Sequence, residues 1–408
     1  MHVDKELIAV ARTHEFIKDV ERYSAHNYHP LPIVIERGEG VWVYDVEGKR
    51  YLDMLSAYSA LNQGHRHPKI IQALLEQAEK VTLTSRAFHN KTMGSFLKKL
   101  CEMAEFEKAL PMNTGAEAVE TALKAARKWG LVKKGVPENQ GEIIVCHNNF
   151  HGRTVTIISF STEEQYRYGF GPFTPGFISV PFGDKEALEK AITPNTVAIL
   201  AEPIQGEGGV LVPPEGYLAK MRELATKHNV LMMLDEIQTG LGRTGRLFAY
   251  QYEDAKPDVL LLGKALGGGV YPVSAMLTSD DVMDVFGPGD HGSTFGGNPL
   301  GSAVAEVALE VLEEENLVEK AWTLGKYFRE GLEKIQSALV KEIRGKGLLI
   351  GVEIKKEHGQ ARTYCERLME LGLLCKETHD YTIRFAPPLT ITKAEIDWAL
   401  ERIGKVLK

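Results

Sequence analysis

The chain has 408 residues, of which 44% are hydrophobic and 25% are charged, a balance typical of globular proteins with a large core. The formal net charge is −7 with both signs interspersed, which argues against a broad basic surface for nucleic acid. The four cysteines lie far apart without a CxxC pair, which argues against a disulfide scaffold or zinc knuckle and favours the cytoplasm. The apolar runs are too short to span a bilayer, and no apolar signal segment follows Met1.

In chain order, the first predicted elements are short strands over residues 31–55, where glycines interrupt alternating apolar positions. A helix is predicted over Pro68–Lys80, because a proline favours the first helical turn. From about residue 113, short apolar runs alternate with amphipathic stretches; the runs are Glu142–Cys146, Val197–Ala201, Val230–Leu234 and Val259–Leu262. This alternation is typical of a mostly parallel sheet covered by helices on both faces.

The pattern changes again after about residue 300. Two helices are predicted over Leu300–Glu315 and Leu317–Ile335, followed by strand-like pieces at Ile343–Ile354 and Thr382–Phe385. We therefore predict an α/β fold with a large domain over residues 56–300. A smaller α+β domain is predicted from both chain ends, residues 1–55 and 301–408.

One segment has the features of an anion site at a helix N-terminus. Thr114 and Gly115 open a predicted helix whose apolar positions include Val119 and Leu123. Free amides at a helix N-terminus bind phosphate, aided by the helix dipole. An ordinary helix cap explains the same residues, so this segment leaves both interpretations open.

Two charged residues follow buried runs, where open α/β sheets place their ligands. Asp235 ends the run Val230–Leu234, and Lys264 follows the run Val259–Leu262 and precedes three glycines. A lysine that loses solvation has a lowered pKa, as a Schiff-base former requires. A buried anion such as Asp235 suits the ring nitrogen of pyridoxal phosphate (PLP). A helix cap and a solvated amine remain the alternatives.

Two other motifs are weaker. The segment Gly240-Leu-Gly-Arg-Thr-Gly245 matches GxGxxG, but no amphipathic helix clearly follows it, as a dinucleotide site requires. His65 and His67 form an HxH pair without a second cluster at ligand spacing, so no metal site is predicted.

Five segments, in order along the chain, resemble the class III, fold-type-I PLP-dependent aminotransferases: Asn113-Thr-Gly-Ala-Glu-Ala, Phe150-His-Gly-Arg-Thr, Glu202-Pro-Ile-Gln-Gly-Glu207, Asp235-Glu-Ile-Gln238-Thr-Gly and Gly263-Lys264-Ala-Leu-Gly-Gly-Gly. The resemblance spans essentially the whole chain. It implies that PLP is the cofactor and that Lys264 holds it as a Schiff base and moves protons between substrate and cofactor.

The resemblance also implies roles for the remaining cofactor residues. Asp235 would pair with the ring nitrogen, Gln238 would bind the phenolate oxygen, and Phe150 would stack on the ring. The phosphate would be bound by backbone amides and, across the interface of a homodimer or larger homo-oligomer, by hydroxyl residues of the neighbouring subunit; these residues are Gly115, Ala116, Ser293 and Thr294.

Narrower segments around Tyr28, Tyr58 and Arg384 resemble the members of this class that act on ornithine. They imply transfer of the δ-amino group of L-ornithine to 2-oxoglutarate. The products would be L-glutamate and glutamate 5-semialdehyde, which cyclises to pyrroline-5-carboxylate. Arg153 suits the α-carboxylate of ornithine because a guanidinium binds a carboxylate through two N–H groups. Tyr28 would fix the α-amine, and Tyr58 would shape the pocket.

The second substrate is a dicarboxylate, so one site must accept both a cationic and an anionic chain end. We hypothesise that Glu207 masks Arg384 while ornithine is bound and moves away for 2-oxoglutarate or glutamate, because an unpaired buried arginine is costly. N-acetylornithine or another ω-amino acid remains an alternative donor. Racemase and decarboxylase activities also remain open, because a fold does not determine which bond is broken.

Overall fold

The protein is described by a computed structural model that covers residues 5–408. The first four residues of the predicted segment 1–55, and with them most of the stretch assessed for a signal peptide, lie outside the described residues. The helices are α1 (Lys5–Tyr23), α2 (Ser56–Ser59), α3 (Pro68–Ala78), α4 (Lys91–Ala104), α5 (Gly115–Trp129), α6 (Val155–Ile158), α7 (Glu164–Arg167), α8 (Lys185–Ala191), α9 (Tyr217–Lys227), α10 (Asp280–Met283), α11 (Pro299–Glu314), α12 (Leu317–Lys334), α13 (Ala361–Glu370) and α14 (Lys393–Leu407). No helix of the described part is both long and apolar enough to cross a membrane.

The strands form three sheets. In chain order they are β1 (Ile35–Glu39), β2 (Trp42–Asp45), β3 (Arg50–Asp53), β4 (Lys108–Met112), β5 (Glu142–Cys146), β6 (Phe177–Val180), β7 (Thr196–Ala201), β8 (Leu231–Asp235), β9 (Val259–Leu262), β10 (Ser274–Thr278), β11 (Val340–Lys346), β12 (Leu349–Ile354), β13 (Leu373–Leu374), β14 (Lys376–Thr378) and β15 (Thr382–Phe385). The predicted apolar runs lie in β5, β7, β8 and β9, within one residue at either end.

The seven-stranded central sheet has the order β4-β10-β9-β8-β7-β5-β6. Strand β10 is antiparallel to both of its neighbours, and the other pairs are parallel. Every residue of β7, β8 and β9 is buried, which explains why these strands read as continuous apolar runs. The α/β prediction with a mostly parallel sheet is confirmed.

Two smaller sheets lie beside the central one. The first has the order β1-β2-β3-β13, in which Leu373 of β13 pairs in parallel with Leu52 of β3. Residues near the two chain ends therefore share one sheet. The second is antiparallel, in the order β11-β12-β15-β14.

The piece predicted as one strand at Ile343–Ile354 is a hairpin of β11 and β12. Its turn includes Gly347, whose φ is +54°, and a Cβ there would lie 2.3 Å from the carbonyl carbon of Thr244. The turn requires glycine because the backbone is left-handed and closely approached. Apolar periodicity does not report this turn, since apolar residues continue directly after it.

Candidate active site

The carboxyl ends of β8 and β9 and the N-terminus of α5 surround one cavity of about 190 Å³. Open α/β sheets bind ligands at this edge. Most of the predicted cofactor residues line the cavity, together with residues that the sequence analysis did not assign; the lining comprises Gly115, Ala116, Phe150, His151, Gly152, Glu202, Ile204, Glu207, Asp235, Ile237, Gln238, Thr239 and Lys264.

Lys264 lies two residues beyond the end of β9, at the start of a short 3-10 turn that ends at Gly267. Its φ is +46°, a left-handed conformation that non-glycine residues adopt only when the surroundings impose it. Burial lowers the pKa of the Lys264 amine, although the charge of Glu207 opposes this shift. A lysine with a lowered pKa retains a neutral, nucleophilic fraction near neutral pH.

Asp235 is the last residue of β8 and is buried. Its Oδ2 atom accepts a hydrogen bond from Nδ1 of His151 at 2.7 Å, and its Oδ1 atom accepts one from the Ile237 amide at 3.0 Å. Burial alone would lower the pKa of His151, but the bond and charge of Asp235 raise it overall. The histidine therefore holds the carboxylate in a defined orientation at the cavity wall.

Glu202 is a further buried acid in this wall. It directly follows β7, and its Oε2 atom accepts a hydrogen bond from the Phe150 amide at 3.0 Å. Burial raises the pKa of Glu202 to about 8, so its carboxyl group is mostly protonated at neutral pH. Neither Glu202 nor His151 has a role predicted from the sequence. The signal for Glu202 was the one used for Asp235, an acid that follows a continuously apolar strand.

The N-terminus of α5 is ordered by a capping box, in which the Thr114 hydroxyl accepts from the Glu117 amide and the Glu117 carboxylate accepts from the Thr114 amide. The amides of the first helical turn have no partner within the helix, and Gly115 and Ala116 lie in that turn. Ser293 is near the same point, because its hydroxyl accepts a hydrogen bond from Asn113 Nδ2 at 2.8 Å.

Thr294, the other predicted hydroxyl residue, is exposed and does not line the 190 Å³ cavity. A second cavity of about 370 Å³ shares Gly115 and Lys264 with the first. Its other walls are formed by Asn113, Thr114 and residues of the segments 57–61 and 269–273. The α5 N-terminus is therefore open to approach from two sides.

Glu207 and Arg384 form an ion pair in the cavity wall, with Nη1 of the arginine 2.5 Å from Oε1 of the carboxylate. Burial alone would raise the pKa of Glu207, but the charges of Arg384 and Lys264 lower it overall. Gln238 donates to the same carboxylate at 3.5 Å and to the Tyr58 carbonyl at 3.3 Å. The predicted salt bridge is thus present, although the prediction did not include Gln238 as its neighbour.

Tyr58 lies beside this pair, with the Arg384 guanidinium 5.0 Å from its ring centroid. It belongs to α2, which is a left-handed turn with positive φ from Ser56 to Ser59. Burial is the main cause that raises the pKa of Tyr58, and the nearby Tyr28 adds a smaller charge effect. Tyr28 itself is 75% exposed and does not line the 190 Å³ cavity.

Arg153 is exposed and lies above two aromatic rings, 3.6 Å from the centroid of Tyr166 and 5.4 Å from that of Phe150. It makes no hydrogen bond or ion pair with any residue that the structure describes. Its guanidinium N–H groups are therefore available to a carboxylate from outside the chain. Tyr166 was not identified from the sequence.

The two weaker motifs have structural roles. His65 and His67 contact different acids, Asp53 and Glu315, and no metal-binding cluster is found among the described residues. The segment 240–245 forms turns rather than a strand-to-helix junction. Its Arg243 is buried and donates to the carbonyls of Leu348 and Pro387 at 3.0 and 2.6 Å.

These groups fit PLP. The cavity offers an amine with a lowered pKa, a buried carboxylate for a ring nitrogen, an aromatic wall and a helix N-terminus for phosphate. The fold and the cavity define a PLP-dependent enzyme of fold type I.

Comparison with known proteins specifies the family: the chain belongs to the class III aminotransferases. The family model for aminotransferase class-III matches residues 23–407. An ornithine aminotransferase from Brevibacillus brevis is 61% identical over 398 residues, which cover 98% of this chain and 99% of that protein.

Two solved aminotransferase structures are similar to this chain over nearly its whole length. An ornithine aminotransferase from Toxoplasma gondii, with partial occupancy of PLP at its active site, superposes with a TM-score of 0.96 at 47% identity, covering 97% of this chain and 94% of that one. An acetylornithine aminotransferase from Elizabethkingia anophelis superposes with a TM-score of 0.88 at 50% identity, covering 97% and 98%. PLP is the cofactor of this protein, as predicted.

Proposed function

We propose that the protein transfers the δ-amino group of L-ornithine to 2-oxoglutarate, giving L-glutamate and glutamate 5-semialdehyde. The main support is a difference between two arginines, because one forms an ion pair and the other does not. Arg384 is masked by Glu207, whereas Arg153 has no acidic partner among the described residues. The similarity to an ornithine aminotransferase at 61% identity supports the same substrate.

The two arginines explain how ornithine is oriented. The free guanidinium of Arg153 binds the α-carboxylate through two N–H groups, and Tyr28 would contact the α-amine. The δ-amine then reaches the buried end of the cavity, where Lys264 lies. Masking of Arg384 prevents the α-carboxylate from binding there, which would present the α-amine to Lys264 instead.

The same cavity contains most of the residues that would bind the cofactor. Lys264, Asp235, Gln238, Phe150 and the α5 N-terminus would hold PLP. When bound, PLP supplies an electron sink for negative charge on the reacting carbon. Lys264 moves a proton at that carbon, and its lowered pKa allows the amine to accept it. Phe150 excludes water from one face of the cavity.

The second half-reaction needs Arg384. When 2-oxoglutarate enters, Glu207 moves away and Arg384 binds the α-carboxylate, while Arg153 binds the distal one. Lys264 then acts on the α-carbon of the second substrate. One pocket thereby accepts a cationic and an anionic substrate in turn.

We also infer a homodimer or larger homo-oligomer, in which Thr294 of one subunit reaches the phosphate of its neighbour. The exposure of Thr294 and the cavity that opens at Gly115 support this arrangement. The pairing of β3 with β13 supports a small domain built from residues 1–55 and 301–408, with residues 56–300 forming the large one. Four free cysteines support a cytoplasmic location.

The test is to incubate purified protein with ornithine and 2-oxoglutarate and to measure pyrroline-5-carboxylate, with N-acetylornithine in parallel. Rapid product formation from ornithine is expected. Fast turnover of N-acetylornithine without product from ornithine would overturn the proposal. Turnover of ornithine without 2-oxoglutarate would point to another activity: inversion at the α-carbon to a racemase, and release of carbon dioxide to a decarboxylase.

A further inference from the structure

Arg153 is exposed, and its guanidinium has no polar partner among the described residues to hold it in one orientation. A long exposed side chain samples many rotamers and loses that freedom when it binds a ligand. Something must therefore restrict Arg153 before the substrate arrives if it is to bind a carboxylate tightly. The structure provides an aromatic contact, at 3.6 Å from the ring centroid of Tyr166.

Tyr166 is itself well positioned. It lies in α7 (Glu164–Arg167) and is half-buried, with its ring edge-to-face with Phe150 at 6.2 Å and 79°. Burial raises the pKa of Tyr166; the charge of Arg153 opposes this rise, and the charge of Glu207 adds to it. The ring therefore contacts both Phe150, which lines the cofactor cavity, and the exposed Arg153.

The segment around Tyr166 is held by local contacts. The Tyr166 amide donates to the Glu163 carbonyl at 3.1 Å, and Arg167 lies over the ring of Phe173 at 4.6 Å. Two other aromatic residues of this segment, Tyr168 and Phe170, are 81% and 60% exposed. Tyr166 is thus more buried than these two aromatic neighbours.

We propose that Tyr166 is a positioning residue that determines carboxylate specificity by holding the Arg153 guanidinium over its ring face. A guanidinium stacked in this way keeps its edge N–H groups free for a two-pronged contact with a carboxylate. Arg153 binds a carboxylate in both half-reactions, so Tyr166 acts on ornithine and on 2-oxoglutarate alike. This inference rests on the proposed function, which assigns the carboxylates to Arg153.

The experiment follows each half-reaction in single turnover, with ornithine added to the PLP-loaded enzyme and 2-oxoglutarate added to the enzyme whose cofactor already carries the transferred amino group. Each reaction gives an apparent dissociation constant and a rate at saturation. For Tyr166→Leu we expect the dissociation constants of ornithine and 2-oxoglutarate to rise about tenfold, with the saturating rate unchanged. Tyr166→Phe keeps the ring and should stay near wild type. Tyr168→Leu, the same change two residues away on an exposed side chain, is the matched control and should have no effect.

A second readout separates positioning from a general loosening of the pocket. 1,4-Diaminobutane has the chain and amine of ornithine but no carboxylate, so its inhibition constant should be the same in Tyr166→Leu and wild type. An equal weakening of 1,4-diaminobutane, or a loss at Tyr166→Phe, would overturn the proposal. Thermal unfolding and the cofactor absorbance verify folding; Tyr166→Gln replaces the leucine variant if that does not fold.

Arg153→Met distinguishes failure of this inference from failure of the proposed function. If Arg153→Met weakens ornithine while Tyr166→Leu does not, Tyr166 has no positioning role and the proposed function stands. If Arg153→Met also leaves ornithine binding unchanged, the carboxylate is bound elsewhere and both assignments are overturned.

Discussion

Arg384 donates from Nη1 to Oε1 of Glu207 at 2.5 Å, yet its Nε and Nη2 atoms are buried without a partner among the described residues. The arginine is only 1% exposed. A buried guanidinium with two unused donors is unfavourable unless a ligand satisfies them at some stage. The pair therefore has the features of a gate, in which Glu207 occupies one donor and a substrate carboxylate can replace it.

Glu207→Gln tests this gate by removing the charge while keeping the shape. We expect Arg384 to bind the α-carboxylate of ornithine in this variant, so the preference for the δ-amine should fall at least about tenfold, since coupling energies of close charge pairs start at about 1.5 kcal/mol and about 1.4 kcal/mol corresponds to a factor of ten. The half-reaction with glutamate should persist. The measurement is the ratio of δ- to α-transamination products in single turnover.

The control is Glu377→Gln. Its carboxylate pairs with Arg362 and Lys376 instead, so removing that charge should leave the product ratio unchanged. A wild-type ratio in Glu207→Gln would show that the δ preference does not depend on the Glu207–Arg384 pair.

The central sheet and the cofactor cavity were predictable from the sequence because their signals are local. Strands β7, β8 and β9 are buried on both faces and appear as short apolar runs; Asp235 is the last residue of β8, and Lys264 lies two residues beyond β9. The parallel arrangement then brings their ends to the same edge of the sheet.

The missed features depend on contacts between distant segments. Tyr166 meets Arg153 through the packing of a short helix that has no periodicity to recognise. His151 was noted only as a neighbour of Phe150, because its hydrogen bond to Asp235 crosses 84 residues of chain. The left-handed turn at Tyr58 contains no glycine, so the sequence carries no marker for it.

Lys264→Ala should abolish the absorbance of covalently attached PLP and transamination, because no other amine lines the 190 Å³ cavity in the described part of the chain. The protein should still fold, and its far-ultraviolet circular dichroism should match wild type. Lys256→Ala is a suitable control, since Lys256 is exposed, donates from its amine to the Glu105 carbonyl and does not line the 190 Å³ cavity. Transamination that survives in Lys264→Ala would refute the assignment.

Glu202→Gln should change how stability depends on pH. The pKa of Glu202 is about 8 in the folded protein, against an ordinary value of 4.5. Between these values the folded protein holds a proton that the unfolded chain releases, so this group makes stability fall as pH rises, by up to about 1.4 kcal/mol per pH unit. Glutamine keeps the neutral shape and removes that slope.

The measurement is chemical denaturation of cofactor-free wild type and variant from pH 5 to pH 8. The unfolding free energy of Glu202→Gln minus that of wild type should increase as the pH rises from 5 to 8. Glu186→Gln, at an exposed carboxylate, should leave the wild-type slope intact. A difference that stays constant with pH would contradict a protonated Glu202.

Arg243→Met should destabilise the fold without altering the chemistry of the cavity. Burial lowers the pKa of Arg243 to about 9, and its side chain also bonds Asn62 Oδ1 at 2.6 Å. Methionine fills similar space but leaves three acceptors without this donor: Asn62 Oδ1 and the carbonyls of Leu348 and Pro387. Each buried unsatisfied group costs about 1–3 kcal/mol, so a loss of at least about 3 kcal/mol is expected in denaturant unfolding. Arg246→Met, at an exposed arginine three residues away, should cost less than about 1 kcal/mol; equal losses in the two variants would contradict the structural role of Arg243.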